Sequence, residues 1–359
     1  MSKGHKVKTV YLKTGKEMLP GLASVAQVLD GEAVTPRPIA AEQSLGLVSR
    51  VATLEDSDLK ACGAGRMVRK TSERQARWVI DAAVSGWQCC AAECLPERAG
   101  LFLGLGTVDC EDDDQPILFN GDLNEYAAKM LTEAKPLAGL TLLNSTAASH
   151  IAQLLNITGV NAVFSPFADA GAQALCEAWF CIHEEKIDQA LIAAGSQKIT
   201  PWYFLAYRDM LSQWDSDETF PTESATSIVA THDSNHADGC LLAVKRTFMP
   251  QAKKELPALD ELLTELAGRN IALPKHVVVT GRFFFTEHQA QCLDDYLPGA
   301  SLHYIDKSLG FTGAAGAIHA VNLALFMFKH QLPAEETVLV VAQGHHGQLC
   351  YLVIGGCHA

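Results

Sequence analysis

Residues Lys307–Ala317, Lys-Ser-Leu-Gly-Phe-Thr-Gly-Ala-Ala-Gly-Ala, run straight on into IHAVNLALFMFKH. The GAAGA part carries nothing larger than a methyl group, and the apolar residues after it recur at helical spacing. It therefore reads as a helix whose first turn lets a second backbone come close. Upstream lie KHVVVTG (strand), TEHQAQCLDDYL (helix) and SLHYID (strand), and downstream ETVLVVAQG and QLCYLVIGG form a strand pair. The same grammar occurs earlier as NSTAASHIAQLLN, a capped helix, NAVFSP, a strand, AGAQALCEAWFCIHEE, a helix, and DQALIAAGSQ, a strand. Strands alternating with helices predict parallel pairing under a helical cover, and two copies predict a duplicated, layered α/β architecture. The small-residue helix starts at Ala170 and Gly313 are expected to touch where the halves pack.

Outside these segments, the spacing over Met67–Cys94 predicts one long amphipathic helix, followed by a buried strand in LFLGLG and an acidic loop, CEDDDQP. Residues 201–238 are polar and irregular and read as a loop excursion, after which GCLLAVKR returns as a strand. A charged linker and a helix follow around 251–269. The division expected is an N-terminal half, 1–250, and a C-terminal half, 251–359.

The 359 residues are 48% apolar and 19% charged, the balance of a folded chain with a sizeable core. A net charge of −13 repels polyphosphate, so nucleic acid is excluded as a partner. The first residues form no apolar signal core and no stretch reaches a membrane span, so cytoplasm is the default location. The eleven cysteines are scattered, with several inside apolar runs, and read as buried thiols. Cys89, Cys90 and Cys94 lack both CxxC spacing and a nearby histidine, so no metal or cofactor is expected.

The motif at Lys307, Ser308, Gly310, Thr312, Gly313 and Gly316 resembles the Lys-Ser…Gly-His-Thr…Gly-Ala-Ala-Gly signature of ketosynthases, one residue shorter. Asn144–Gln197 resembles the helix, strand and nucleophile elbow of that family, and Ala342–Gly347, with Gly344 and Gly347, resembles its C-terminal glycine-rich turn. RMVRKTSERQARWVIDAA and ERAGLFLGLG resemble the early helix and strand, so the likeness spans most of the chain. It implies the thiolase-like, duplicated five-layer αβαβα fold.

The same resemblance implies that the chemistry is missing. Condensation needs a thiolate to hold the acyl group and two imidazoles to polarise the thioester carbonyl. Ala168 stands for the cysteine, Phe311 for the Gly-His-Thr histidine, and Gly281 or Arg282 for the other histidine. A degenerate copy that partners an active ketosynthase is the chain-length-factor type, and the closer resemblance is to the short degenerate subunits of aryl polyene pathways in Gram-negative bacteria. Expected partners are an active ketosynthase, in a heterodimer, and an acyl carrier protein docking mainly on that ketosynthase. Phe167, Phe311 and Phe283 are expected to plug or line an acyl tunnel, and Leu140 and Leu142, in PLAGLTLL, to reach the partner's pocket. Lys307 reads as scaffold. His345 and His346 read as turn residues beside the pocket, His150 as packing and His183 as a helix-end charge. Two alternatives stand beside this: an acyltransferase or thioester hydrolase of altered site, using another cysteine or the His345–His346 pair, and a stand-alone acyl-binding module.

Overall fold

Ten strands form one mixed sheet in the computed structural model, which describes residues 9–107, 122–133, 137–214, 219–249, 256–281 and 286–357. The first five are β1 (Val10–Met18), β2 (Ala99–Leu105), β3 (Asn161–Phe164), β4 (Gln189–Gly195) and β5 (Ala225–Thr231). The second five are β6 (Gly239–Phe248), β7 (His276–Thr280), β8 (Ser301–Tyr304), β9 (Thr337–Gln343) and β10 (Gln348–Gly355). Across the sheet the order is β8-β7-β9-β10-β6-β1-β5-β4-β2-β3, so each set runs in the same internal order and the sets join at the β1–β6 pair. Within each set the crossover pairs are parallel and the rest antiparallel.

The helices that cover the sheet are α1 (Arg66–Thr71), α2 (Arg74–Cys90), α3 (Asn144–Leu155), α4 (Ala170–His183), α5 (Leu259–Gly268), α6 (Glu287–Tyr296) and α7 (Gly316–His330). Alternate strand residues sort them into layers. Leu101 and Leu103 pack outward on α2 and α3, while Phe102 points inward to α4. Val277, Val279, Leu339 and Val341 pack outward on α5 and α6, while Val278, Val338 and Val340 point inward to α7. The α4–α7 layer therefore lies between the two sets, giving five layers. A methyl group on Gly171 would lie 2.5 Å from the Ala314 carbonyl oxygen, so the small-residue helix starts do meet, as their composition predicts.

Three expectations need correction. The excursion at 201–238 contains β5, a central strand paired with both β1 and β4. Its seven residues, ATSIVAT, are all buried, and the hydroxyls that disguise it are used internally: Ser227 Oγ donates to the Ala82 carbonyl at 2.8 Å and accepts from Lys16 N at 3.1 Å. The excursion also holds two short helices, Pro201–Ala206 and Arg208–Leu211. The single helix over Met67–Cys94 is two, because Glu73 takes extended backbone and its carboxylate accepts from Gln75 N at 2.8 Å and Ala76 N at 2.5 Å, capping α2. The side-chain cap expected on α3 is absent: Asn144 Nδ2 instead donates to the Gly106 carbonyl at 3.1 Å and to Ser165 Oγ at 2.8 Å. The strand β1, which the sequence reading passed over, sits at the centre of the sheet with Val10 and Leu12 fully buried.

The acidic loop Glu111–Asp114, most of the charged linker, and Arg282 and Phe283 lie outside the described residues. Among the described residues no helix is long and apolar enough to cross a membrane.

Candidate functional site

Parallel pairing brings Gly104 of β2 opposite Phe164 of β3 and Ala194 of β4, so the chain leaves all three strands on one rim, where a parallel sheet presents its ligands. From β3 the chain turns through Ser165, Pro166, Phe167, Ala168 and Asp169 into α4. Ala168 occupies this elbow, 8% exposed, with Ala170 N donating to the Phe167 carbonyl at 3.0 Å. The facing wall is Phe311, 5% exposed and locked through its backbone. Its N–H donates to the Phe220 carbonyl at 2.9 Å, its carbonyl accepts from Thr222 N at 2.9 Å, and Thr222 Oγ1 donates to the Leu309 carbonyl at 2.6 Å. Gly310 makes this lock possible: its φ is 74°, and any side chain there would collide with Thr222 and Phe220.

The space between Ala168 and Phe311 is about 10 Å³, room for roughly one water. Tyr203, Tyr207, Gln197, Ser196, Thr222 and His345 are among the residues that line it. Phe311 joins Val48, Val51, Ala168, Tyr203, Phe204, Met210 and Leu211 in one apolar cluster, and it meets the Trp214 ring edge-on at 5.2 Å between centroids. Tyr203, Tyr207, Met210 and Trp214 all come from the segment read as an excursion. The signal available there was the i,i+4 spacing of Tyr203 and Tyr207, which puts both rings on one side of a helical turn.

Burial favours the neutral forms of the two tyrosines and of His345 in the cavity wall. Burial raises the Tyr203 phenol well above its usual value and pushes Tyr207 up to about 12. Burial, and then the neighbouring His346 ring, push His345 down to about 4. His345 and His346 lie 4.0 Å apart by ring centroid, and both meet Phe167 edge-on, at 5.3 and 5.1 Å. They pack around Phe167, and His345 reaches the cavity wall as a weak neutral base; the two aliphatic hydroxyls of the lining are engaged elsewhere, Thr222 Oγ1 donating to the Leu309 carbonyl and Ser196 Oγ accepting from Ser224 N at 2.7 Å. Asp169, buried beside Ala168, has its carboxyl raised by burial and accepts from Gln173 Nε2 at 2.6 Å.

The remaining predicted residues fall as follows. Gly281 holds φ 80°, and a β-carbon would run into the Gln343 carbonyl, so this position carries no imidazole for backbone reasons alone. Gly313, also at positive φ, lines the cavity, and Gly316 lies against Thr280. Gly344 and Gly347 bracket the β9–β10 turn around His345 and His346, with Gly344 N donating to the Gln348 carbonyl at 2.8 Å. Lys307 is exposed, is not among the residues that line the cavity, and sets its ammonium 5.4 Å from the centre of the Tyr304 ring. Leu140 and Leu142 are 45% and 44% exposed and stand outside the cavity. His150 is bonded as well as packed, its Nε2 lying 2.8 Å from Thr71 Oγ1, and His183 stacks on Trp179 at 4.7 Å.

Two buried charge clusters behind the cavity were missed from sequence. Glu223, with no exposed side chain, accepts from Arg74 Nη2 at 2.7 Å and from the N–H groups of Leu54 at 2.9 Å and Ile199 at 2.7 Å. Burial outweighs these partners and pushes its carboxyl up to about 7. Lys198, equally buried, places Nζ 3.3 Å from Glu73 Oε2. Both pairs hold the 196–200 segment against the wall of the cavity, a positioning role for which buried ion pairs need several hydrogen bonds each. Among the described residues no group of three or more His, Cys, Asp or Glu could hold a metal.

No family model matches the sequence. Among solved structures the chain is similar to the ketosynthase from module 6 of the bacillaene synthase from Bacillus subtilis 168, with 13% identity and a TM-score of 0.75, covering 98% of this chain and 72% of that one. It is also similar to AntDE:AntF, a type II polyketide synthase acyl-carrier protein in complex with its ketosynthase bound to the hexaketide. There the identity is 15%, the TM-score 0.74, and the coverage 98% of this chain and 99% of that one. The fold is thus the thiolase-like fold of ketosynthases.

Proposed function

We propose that this chain is a non-catalytic ketosynthase-like subunit of the chain-length-factor kind, pairing with an active ketosynthase in fatty-acid or polyketide-type synthesis and helping to close the tunnel that receives the growing chain. The observation that carries the proposal is the elbow itself: Ala168, which the resemblance puts at the nucleophile position, faces Phe311 across a space of about 10 Å³. Such a space admits neither a thioester nor an acyl chain, and a methyl group forms no covalent intermediate. The reading divides the chain into ketosynthase-like halves at 1–250 and 251–359, and an aryl polyene is its proposed product class, made in the cytoplasm.

A tunnel shaped by this chain would lie against its partner and not inside it. Leu140, Leu142 and Leu143, exposed by 45%, 44% and 51%, precede α3 and offer apolar side chains for that purpose. The solved AntDE:AntF assembly pairs a carrier protein with its ketosynthase, and by analogy the carrier would dock mainly on the active partner here. Phe167 and Phe283 are proposed to border the tunnel mouth.

Co-expression with the ketosynthase encoded beside it tests the proposal. The two chains are expected to copurify, and Leu140→Ala with Leu142→Ala to lengthen the product. A chain that runs alone and leaves product length unchanged would overturn it. Because His345 reaches the cavity wall, a hydrolase or acyltransferase remains the competing reading. An acyl adduct on the isolated chain, seen by intact mass after incubation with acyl-carrier thioester, would establish that reading in its place.

A further inference from the structure

On the far side of Ile199 from the closed cavity lies an open cleft of about 550 Å³, a volume typical of small-molecule sites. Arg37, Ile39, Gln43, Val51, Arg74 and Phe204 form its walls. Arg37 is held in place by a short ladder in which it pairs with Val51, and its exposed side chain makes no ion pair among the described residues. Arg74 is anchored from behind, with Nη2 on Glu223 at 2.7 Å and the guanidinium 5.3 Å from the centre of the Trp78 ring. Two guanidinium groups thus line one concavity of a chain whose net charge is −13, with Glu223 in direct contact with Arg74 and within electrostatic reach of Arg37. Guanidinium forks match the planar oxygens of carboxylates and phosphates, and Ile39, Val51 and Phe204 offer an apolar wall beside them.

We propose that this cleft binds a small amphiphilic oxyanion, a carboxylate or phosphate joined to an apolar body, with Arg37 and Arg74 holding the head group and Ile39 and Phe204 the body. The site is separate from the elbow and holds whether or not the chain partners a ketosynthase. Its ligand would press on the Ile199–Phe204 segment, which is shared with the wall of the closed cavity.

Isothermal titration of the full chain with octyl phosphate, octanoate and inorganic phosphate tests this. One of the octyl probes is expected to bind at least about tenfold tighter than inorganic phosphate, and whichever is tighter identifies the head group. Arg37→Ala, an exposed change, is expected to weaken that binding about tenfold or more while leaving the unfolding temperature of the free protein unchanged. Gln43→Glu, which sets a carboxylate on the rim, is expected to weaken it in the same direction. No binding of either octyl probe, inorganic phosphate binding as tightly as they do, or unchanged affinity in both variants would each overturn the assignment.

Discussion

Phe311 fills space at the elbow that reactive groups would otherwise need, so its substitutions separate packing from chemistry. Phe311→Ala removes a ring packed against Trp214, Ala168 and Tyr203 and is expected to cost about 3–5 kcal/mol, read as a lowered denaturation midpoint in urea. Ala168→Cys restores a thiol but no base and no room; intact mass after exposure to acyl-carrier thioester is expected to show no adduct, and an adduct would mean that the elbow opens in solution. His345 titrates in the opposite sense from Glu223, which allows a clean test. Its folded pKa of about 4 lies below the unfolded value near 6.5, so between those limits the unfolded chain binds more protons. The contribution is present in full above about pH 6.5 and is lost as pH falls towards 4, by about 2 kcal/mol once partial exposure is allowed for. His345→Gln is expected to remove the rise in stability with pH that His345 contributes in that window, leaving the opposing fall from Glu223 uncompensated, so that the wild-type and variant curves diverge by about 2 kcal/mol between pH 4 and 6.5. Parallel curves for the two proteins would show that the ring is solvated.

At the scale of elements, the decisive contact is that between α4 and the turn before α7. Gly171 lies against the Ala314 carbonyl and Ile318, inside the helix layer shared by both strand sets. Gly171→Val would force the two helices apart and is expected to cost more than about 3 kcal/mol, with loss of cooperative unfolding in the worst case. Gly268→Ala, at the end of α5 with open space around it, serves as the control and is expected to change stability by less than about 1 kcal/mol, in the stabilising direction. Thermal unfolding of both variants checks the pair. The helix starts were legible because a run such as GAAGA has few other uses in a folded chain. The strand β5 was not, since Thr226, Ser227 and Thr231 look like surface residues until Lys16 and Ala82 are seen to take up the Ser227 hydroxyl.

For the molecule as a whole, the apolar residues left exposed before α3 matter most. Leu140, Leu142 and Leu143 are each close to half exposed. Leu140→Glu with Leu143→Glu is expected to leave the unfolding temperature of the isolated chain within a degree or two, because neither side chain is in the core, while abolishing copurification with a ketosynthase partner. A complex that survives both changes would place the interface elsewhere on the surface.

The amino-acid sequence by itself determined the repeated strand-and-helix grammar, the meeting of two small-residue helix starts, and the absence of a thiol and an imidazole at Ala168 and Phe311. Each of these is carried by local periodicity or by the chemistry of one side chain. Only the tertiary structure decided that β1 and β5 lie side by side in the interior of the sheet, that Glu73 breaks a long helix, and that Tyr203, Trp214 and Phe311 close the elbow to the size of one water. It also decided that Gly281 is held by backbone crowding against Gln343 and that Arg37 and Arg74 face one cleft. These features depend on groups far apart in the chain, whose burial and hydrogen bonds exist only once the layers have packed.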